Sequence, residues 1–67
     1  MSLEKYIGRI VRIVYIDRNN RITERKIQIR SVRGGMIRAY CMTSGGPRIF
    51  SLRNVLAAEV VVGHHAV

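Results

Sequence analysis

The sequence predicts a mainly β protein, a small antiparallel barrel of five strands. Three observations lead to this prediction: five short runs rich in β-branched and apolar residues, turn residues that separate them at short intervals, and only one brief segment with helix signals. Closure of the sheet is expected because it removes exposed strand edges from a chain rich in isoleucine and valine.

The first predicted elements are a helical turn and a strand. Ser2 can cap a helix and Gly8 can end it, so residues 2–8 are expected to form one or two helical turns. So short a helix is stable only if a side chain such as Leu3 packs on the rest of the protein. Residues 9–16 predict a strand that is partly buried on both faces, and residues 17–21 predict a turn.

The second strand is predicted over residues 22–32 because apolar and polar residues alternate along it. Arg25 shares a face with four other residues, Thr23, Ile27, Ile29 and Ser31. Polar side chains occupy the opposite face: Glu24, Lys26, Gln28 and Arg30. The glycine pair at positions 34 and 35 then turns the chain.

Three further strands complete the predicted sheet. Residues 36–42 form the third strand, with Arg38 and Tyr40 on one face. A turn over residues 43–47 follows, where Pro47 is expected to end strand pairing. Residues 49–52 and 55–62 are the last two strands, on either side of a kink at residues 53–54, and residues 63–67 are expected to fray. The barrel thus covers residues 9–62 of a single domain, residues 1–67.

Charge is the strongest compositional feature. Twelve Lys and Arg, ten of them arginine, stand against four Asp and Glu, so the formal net charge is +8. Arginine suits planar, bidentate contacts with phosphate. We therefore expect an anionic partner, and the alternative is a solvated basic surface that only keeps the protein soluble.

The remaining composition bounds the setting and the assembly. Cys41 is the only cysteine, so no intramolecular disulfide forms and a cytoplasmic location is the default expectation. No apolar run is long enough to span a bilayer, and we expect no membrane partner. A chain of 67 residues buries a modest core, for which homo-oligomerisation is a common remedy.

Two arginines lie on apolar strand faces, Arg25 beside Ile27 and Arg48 beside Phe50 and Leu52. An unpaired guanidinium is costly to bury, so such an arginine usually lies at a barrel mouth or meets an anion. If both point toward one end of the barrel, they form a two-pronged anion clamp. The alternative is that each strand leaves the core there, with the arginine stem packed and its head in water.

Tyr15 and Tyr40 are further candidates, because a tyrosine beside arginines can stack on a base or donate to a phosphate. We expect a core position for Tyr15 and leave both roles open for Tyr40, which shares a face with Arg38. Enzyme chemistry is not expected. Cys41 is most simply a core residue, adjacent His64 and His65 point to opposite sides of an extended tail, and the four carboxylates have no useful spacing. We expect no catalytic residue, no metal and no cofactor.

Four segments carry a resemblance to a known family: VRIVYID at 11–17, ERKI at 24–27, IRAYC at 37–41 and RIFSL at 48–52. In this order and spacing they resemble the WYL domain of bacterial transcriptional regulators. The resemblance implies a five-stranded barrel related to the SH3-like and Sm-like folds, preceded by a short helix. It also implies a basic pocket that binds a negatively charged effector, in some members single-stranded DNA or a nucleotide. Gly35-Met36-Ile37 stands where the family has its Trp-Tyr-Leu triad.

Carried over by position, the family's arginines would be Arg25 and Arg48, with Tyr15, Tyr40 and Phe50 nearby. Arg38 and Arg53 would widen the positive surface. We therefore expect a stand-alone, truncated WYL-like barrel, a non-enzymatic regulatory module that binds single-stranded nucleic acid or a nucleotide. The alternative is a protein-interaction or oligomerisation module that assembles through edge strands or modulates a full-length transcription regulator.

Overall fold

The computed structural model describes residues 3–61, so the predicted N-cap at Ser2 and the tail 63–67 lie outside the described part. The described chain forms five antiparallel strands in one sheet and two short 3-10 helices. The strands are β1 (Ile10–Ile16), β2 (Ile22–Arg33), β3 (Met36–Cys41), β4 (Gly46–Ser51) and β5 (Val55–Val60). The 3-10 helices are Glu4–Tyr6 and Leu52–Asn54. The predicted mainly β class, with five strands and an N-terminal helical turn, is confirmed.

The strand order is β4-β3-β2-β1-β5, and the sheet is not closed, so the prediction of a fully closed barrel is wrong in this respect. Side chains connect β4 to β1 instead of a backbone ladder to β5. The Ser51 N–H donates a hydrogen bond to the Tyr15 hydroxyl (3.0 Å), and the rings of Tyr15 and Phe50 meet edge to face with centroids 5.0 Å apart. Pro47, also on β4, has no N–H with which to join a further strand.

One face of the sheet forms the core, and its residues alternate along the strands as the side-chain period of two requires. Ten apolar residues are buried there: Leu3, Val11, Ile13, Ile27, Ile29, Ile37, Ala39, Cys41, Phe50 and Val55. Leu3 is only 1% exposed, so the N-terminal turn is held to the sheet as its short length requires. The expected core position of Cys41 is also observed, and Tyr15 packs against this cluster.

A β-bulge interrupts the alternation of β2. Ile29 pairs with Ala39, but the next register pair is Ser31 with Arg38, which leaves one residue of β2 without a partner. The prediction that Ser31 shares the apolar face of Ile29 is therefore wrong, because the extra residue moves Ser31 to the level of exposed Arg38. Val32 packs against the core in its place.

The turn between β2 and β3 forms as predicted, whereas the start of β4 does not. The turn between β2 and β3 is formed by Gly34 and Gly35, with φ of 58° and 76°, as a two-residue hairpin turn demands. The expectation that Pro47 ends the pairing is wrong, because β4 begins at Gly46 and Pro47 pairs with Tyr40. An edge strand tolerates proline, since the missing N–H lies on the open side.

Candidate functional site

An open groove with a volume of ≈ 800 Å³ lies across β2, β3 and β4. Its lining residues are Arg30, Ser31, Arg38, Ala39, Tyr40, Pro47, Arg48 and Ile49. Each of the three neighbouring strands contributes one arginine. The register places Arg38 and Tyr40 on the same face as their partners Ile49 and Pro47. Arg48 pairs with buried Ala39, so it extends from the opposite face, on the edge strand that borders the groove.

Arg30 lines the groove at the β-bulge of β2. Arg30 is the residue of β2 that has no register partner on β3, between the pairs made by Ile29 and Ser31. Bulges bend a strand and redirect the side chain of the extra residue. Sequence reasoning assigned Arg30 to the polar face and missed it as a site residue. The apolar residues Ile27, Ile29 and Val32 carry the missed signal, because they change from odd to even positions.

The groove also has an apolar part, formed by cross-strand neighbours. Tyr40 pairs with Pro47, and Arg38 pairs with Ile49. Ile49 is 60% exposed, although large aliphatic side chains are usually buried. A flat apolar group can therefore contact Tyr40, Pro47 and Ile49 while its anionic substituents meet the arginines.

The arginines of the groove carry uncompensated charge. The ion pairs between residues of the described range are those of Arg12 with Glu24 (3.5 Å) and with Glu59 (3.3 Å), on the β1 side of the sheet. Within residues 3–61, no carboxylate pairs with Arg30, Arg38 or Arg48. An anion bound in the groove would therefore meet arginines whose charge no carboxylate of the described residues offsets.

Arg25 has a different environment from the groove. It is half-buried, and its Nε–H donates a hydrogen bond to Thr23 Oγ1 (3.3 Å). Its guanidinium carbon lies 6.0 Å from the centre of the Phe50 ring, in cation–π range. Phe50 in turn contacts Tyr15, so Arg25, Phe50 and Tyr15 form one cluster at the edge of the core.

The same arginine contributes to the environment of Cys41. Burial alone would raise the pKa of the Cys41 thiol, but hydrogen bonds from Ser44, Thr43 and Arg25 outweigh it and lower that pKa below its usual value of 9.0. The thiol is nevertheless fully buried, and solvent does not reach it. This cluster therefore holds the β3–β4 turn against the core.

The predicted site residues thus fall into three places. The groove contains Arg38, Arg48 and Tyr40, and the Arg25 cluster contains Tyr15 and Phe50. Arg53 lines a separate depression with the Gly34–Gly35 turn, Met36, Ser51, Leu52 and Val55. Arg25 does not line the groove that contains Arg48, so the structure does not bring the two arms of the expected clamp into one pocket.

Fold and site together define a small open β-sheet protein with an arginine-lined groove. Comparison with models of known families, with functionally characterised proteins and with solved structures finds no match. The WYL resemblance therefore remains an expectation. In the described part of the chain, no helix is long and apolar enough to cross a membrane. In the same part, no group of three or more His, Cys, Asp or Glu side chains could hold a metal ion; His64 and His65 lie outside it.

Proposed function

We propose that this protein is a non-enzymatic binding module for a nucleotide or single-stranded nucleic acid, which binds in the groove across β2–β4. The observation that carries the proposal is the groove itself, to which each of three strands contributes an arginine and in which Arg38 and Tyr40 share a face with exposed Ile49. Arg30, Arg38 and Arg48 supply bidentate donors for phosphate, and Tyr40 supplies a face on which a base can stack.

A single strand suits the groove better than a duplex does. The apolar part formed by Tyr40, Pro47 and Ile49 needs an exposed flat group, and the bases of a duplex are stacked inside it. A purely inorganic anion would use the arginines and leave this apolar part in water. The ligand that uses both parts carries a nucleobase next to a phosphate.

Fluorescence anisotropy with labelled single-stranded and double-stranded oligonucleotides of equal length, at two salt concentrations, tests the proposal. We expect tighter binding to the single strand and an affinity that falls steeply with salt. Arg48→Ala should leave the fold intact, weaken binding about tenfold or more, and reduce the magnitude of the salt slope by about 0.7.

Arg18→Ala is the matched control, because it removes the same charge from the exposed turn between β1 and β2. It should weaken binding much less than Arg48→Ala does. Equal affinity of the parent and Arg48→Ala at low salt, or equal losses in the two variants, would show that binding depends on net charge and not on the groove. Tyr40→Leu should remove the preference for base-containing ligands over polyphosphate while it leaves phosphate contacts in place.

Assembly is a second candidate function, which the open sheet favours. Because β4 and β5 are not paired, the sheet ends in two edge strands, and an edge strand with free backbone groups can pair with a strand of another chain. The partner is either another copy of this chain or a full-length transcription regulator, as the WYL resemblance suggests. A cytoplasmic setting is part of both proposals, since the single cysteine forms no intramolecular disulfide.

A further inference from the structure

The two edges of the open sheet differ in the backbone donors that they present. At the end of β4, the Leu52 N–H donates to a carbonyl of the β2–β3 turn (2.8 Å). In an antiparallel ladder this bond leaves the N–H and C=O of Ser51 pointing away from β3. Hydrogen-bonded and non-hydrogen-bonded residue pairs alternate along an antiparallel ladder, so Ile49 and Pro47, like Ser51, direct their backbone groups to the open side.

The β4 edge is blocked by its own residues. Pro47 has no N–H, and the Ser51 N–H is already donated to the Tyr15 hydroxyl (3.0 Å). Of the three outward donors that this strand would otherwise present, Ile49 alone keeps an N–H without a partner in residues 3–61. One donor cannot support a ladder, so an added strand has no continuous pairing on β4.

The β5 edge is open. The Val61 N–H donates to the Ile10 carbonyl (2.9 Å), and the same rule therefore directs the N–H and C=O of Val60 away from β1. Ala58, two residues earlier in the uninterrupted register, presents its groups in the same direction. Neither residue is a proline, and no strand within residues 3–61 lies on this side. The side chain of Leu56 on this strand is half exposed.

Charge also singles out β5. It is the only one of the five described strands without a lysine or arginine, and its one charged residue, Glu59, is paired with Arg12 (3.3 Å). Edge strands are commonly protected against association by a lysine, which β5 lacks. In a protein with a net charge of +8, this edge is where a second copy approaches with the least repulsion.

We propose that two copies of this chain associate through β5, pairing antiparallel about a twofold axis so that the two sheets become continuous. The proposal gives the assembly function a partner and a symmetry, and it does not depend on anion binding in the groove. A head-to-tail ring needs β4 of one copy to pair with β5 of the next, and the blocked β4 edge excludes it.

Charge also selects the register of the pairing. With Ala58 on the axis, Ala57 faces Glu59 of the second copy; the irregularity of β5 at Leu56 lies beyond this central pairing. The neighbouring symmetric register puts the two Glu59 side chains directly opposite one another, and like charges in that position are destabilising. Of these two registers, charge therefore favours the one centred on Ala58.

Size-exclusion chromatography with light scattering, over a range of protein concentrations, tests the association. We expect the parent to approach twice its mass of 7.6 kDa as the concentration rises. Ala58→Pro removes an outward N–H without touching the ladder to β1, and it should remain monomeric. Ile49→Pro makes the same change at the matching position of β4 and should still dimerise. Circular dichroism establishes whether each variant is folded.

Two variants of Ala57 test the register of the dimer. They also test the association itself if Ala58→Pro does not fold. Ala57→Lys places a positive charge opposite Glu59 of the second copy and should tighten the dimer, by about fivefold at most for each of the two equivalent pairs. Ala57→Glu should weaken it to a similar degree. A parent that stays monomeric at the highest concentration overturns the proposal. So does a dimer that Ile49→Pro abolishes and Ala58→Pro leaves intact, or one that neither Ala57 variant changes.

Discussion

Among single residues, the two arginines on apolar strand faces have different surroundings. Arg25 lies on a central strand, where its neighbours Thr23 and Phe50 hold the guanidinium. Arg48 lies on an edge strand opposite small Ala39, and it is exposed. The same position in the side-chain alternation therefore produces a packed arginine in the middle of the sheet and an available one at its edge.

This contrast predicts opposite effects of two otherwise similar substitutions. Arg25→Ala should lower the free energy of unfolding by about 1 kcal/mol, since it removes a cation–π contact and the packing of the arginine stem. Arg48→Ala should change it by less than about 0.5 kcal/mol, because the side chain is exposed. Urea denaturation of both variants measures the difference. If Arg48→Ala were the more destabilised variant, these assignments of the two arginines would be reversed.

Among the elements, the bulge in β2 and the turn between β1 and β2 show how local backbone structure places charge. The bulge leaves Arg30 without a register partner beside the groove, and the strand order is unchanged. The turn between β1 and β2 is held by hydrogen bonds from its own backbone N–H groups to the carboxylate of Asp17. Asp17 Oδ1 accepts hydrogen bonds from the N–H groups of Arg21 (3.0 Å) and Asn19 (2.8 Å), while Asn20 takes the positive φ of 61°.

These hydrogen bonds predict a pH dependence of stability. The Arg21 N–H, helped by that of Asn19, lowers the pKa of Asp17 below its usual value of 3.8. A carboxyl group whose pKa is lowered in the folded state stabilises it above the unfolded value, and that contribution disappears as the pH falls through the folded value. The parent should therefore be more stable than Asp17→Asn at neutral pH, with the difference lost below 3.8. Equal pH profiles in thermal unfolding would contradict this role of Asp17.

In the whole molecule, charge is distributed unevenly over the sheet. The carboxylates Glu24 and Glu59 lie beside Arg12 on the β1 side, and the three arginines of the groove have no carboxylate partner among the described residues. Close positive charges repel one another and destabilise the compact state. A bound anion relieves this repulsion and adds its binding free energy to the stability of the fold.

We therefore expect the thermal midpoint to rise as sodium chloride is increased from about 0.01 M to about 0.15 M, where the screening length falls from about 30 Å to about 8 Å. Phosphate at matched ionic strength should raise it further through the groove arginines. Arg48→Ala should lose part of the additional rise from phosphate and keep the response to chloride. An identical response to phosphate in the parent and Arg48→Ala would mean that Arg48 does not take part in a phosphate site.

Much of the fold and part of the site could be predicted from the sequence. The side-chain alternation in β2 and β3 is strong enough to locate the core residues, and it placed Arg38 and Tyr40 together. It failed at Ser31, because one extra residue in a strand reverses every later side chain and is detected only from the pairing with β3. The prediction that Pro47 ends strand pairing was wrong because proline is excluded only from strands that are paired on both sides, and the sequence does not show that β4 is an edge strand.

The sequence by itself determined the class of the protein: alternation, turn residues and the excess of arginine specify a small basic β-sheet. Only the tertiary structure decided which arginines border the groove, because Arg30, Arg38 and Arg48 lie on three different strands that pairing brings side by side. It also decided that the sheet stays open, since the Ser51 N–H that would continue the ladder is used by Tyr15, a residue 36 positions away in the chain. Local chemistry determines the strands, and pairing between distant segments determines what they present to a ligand or a partner.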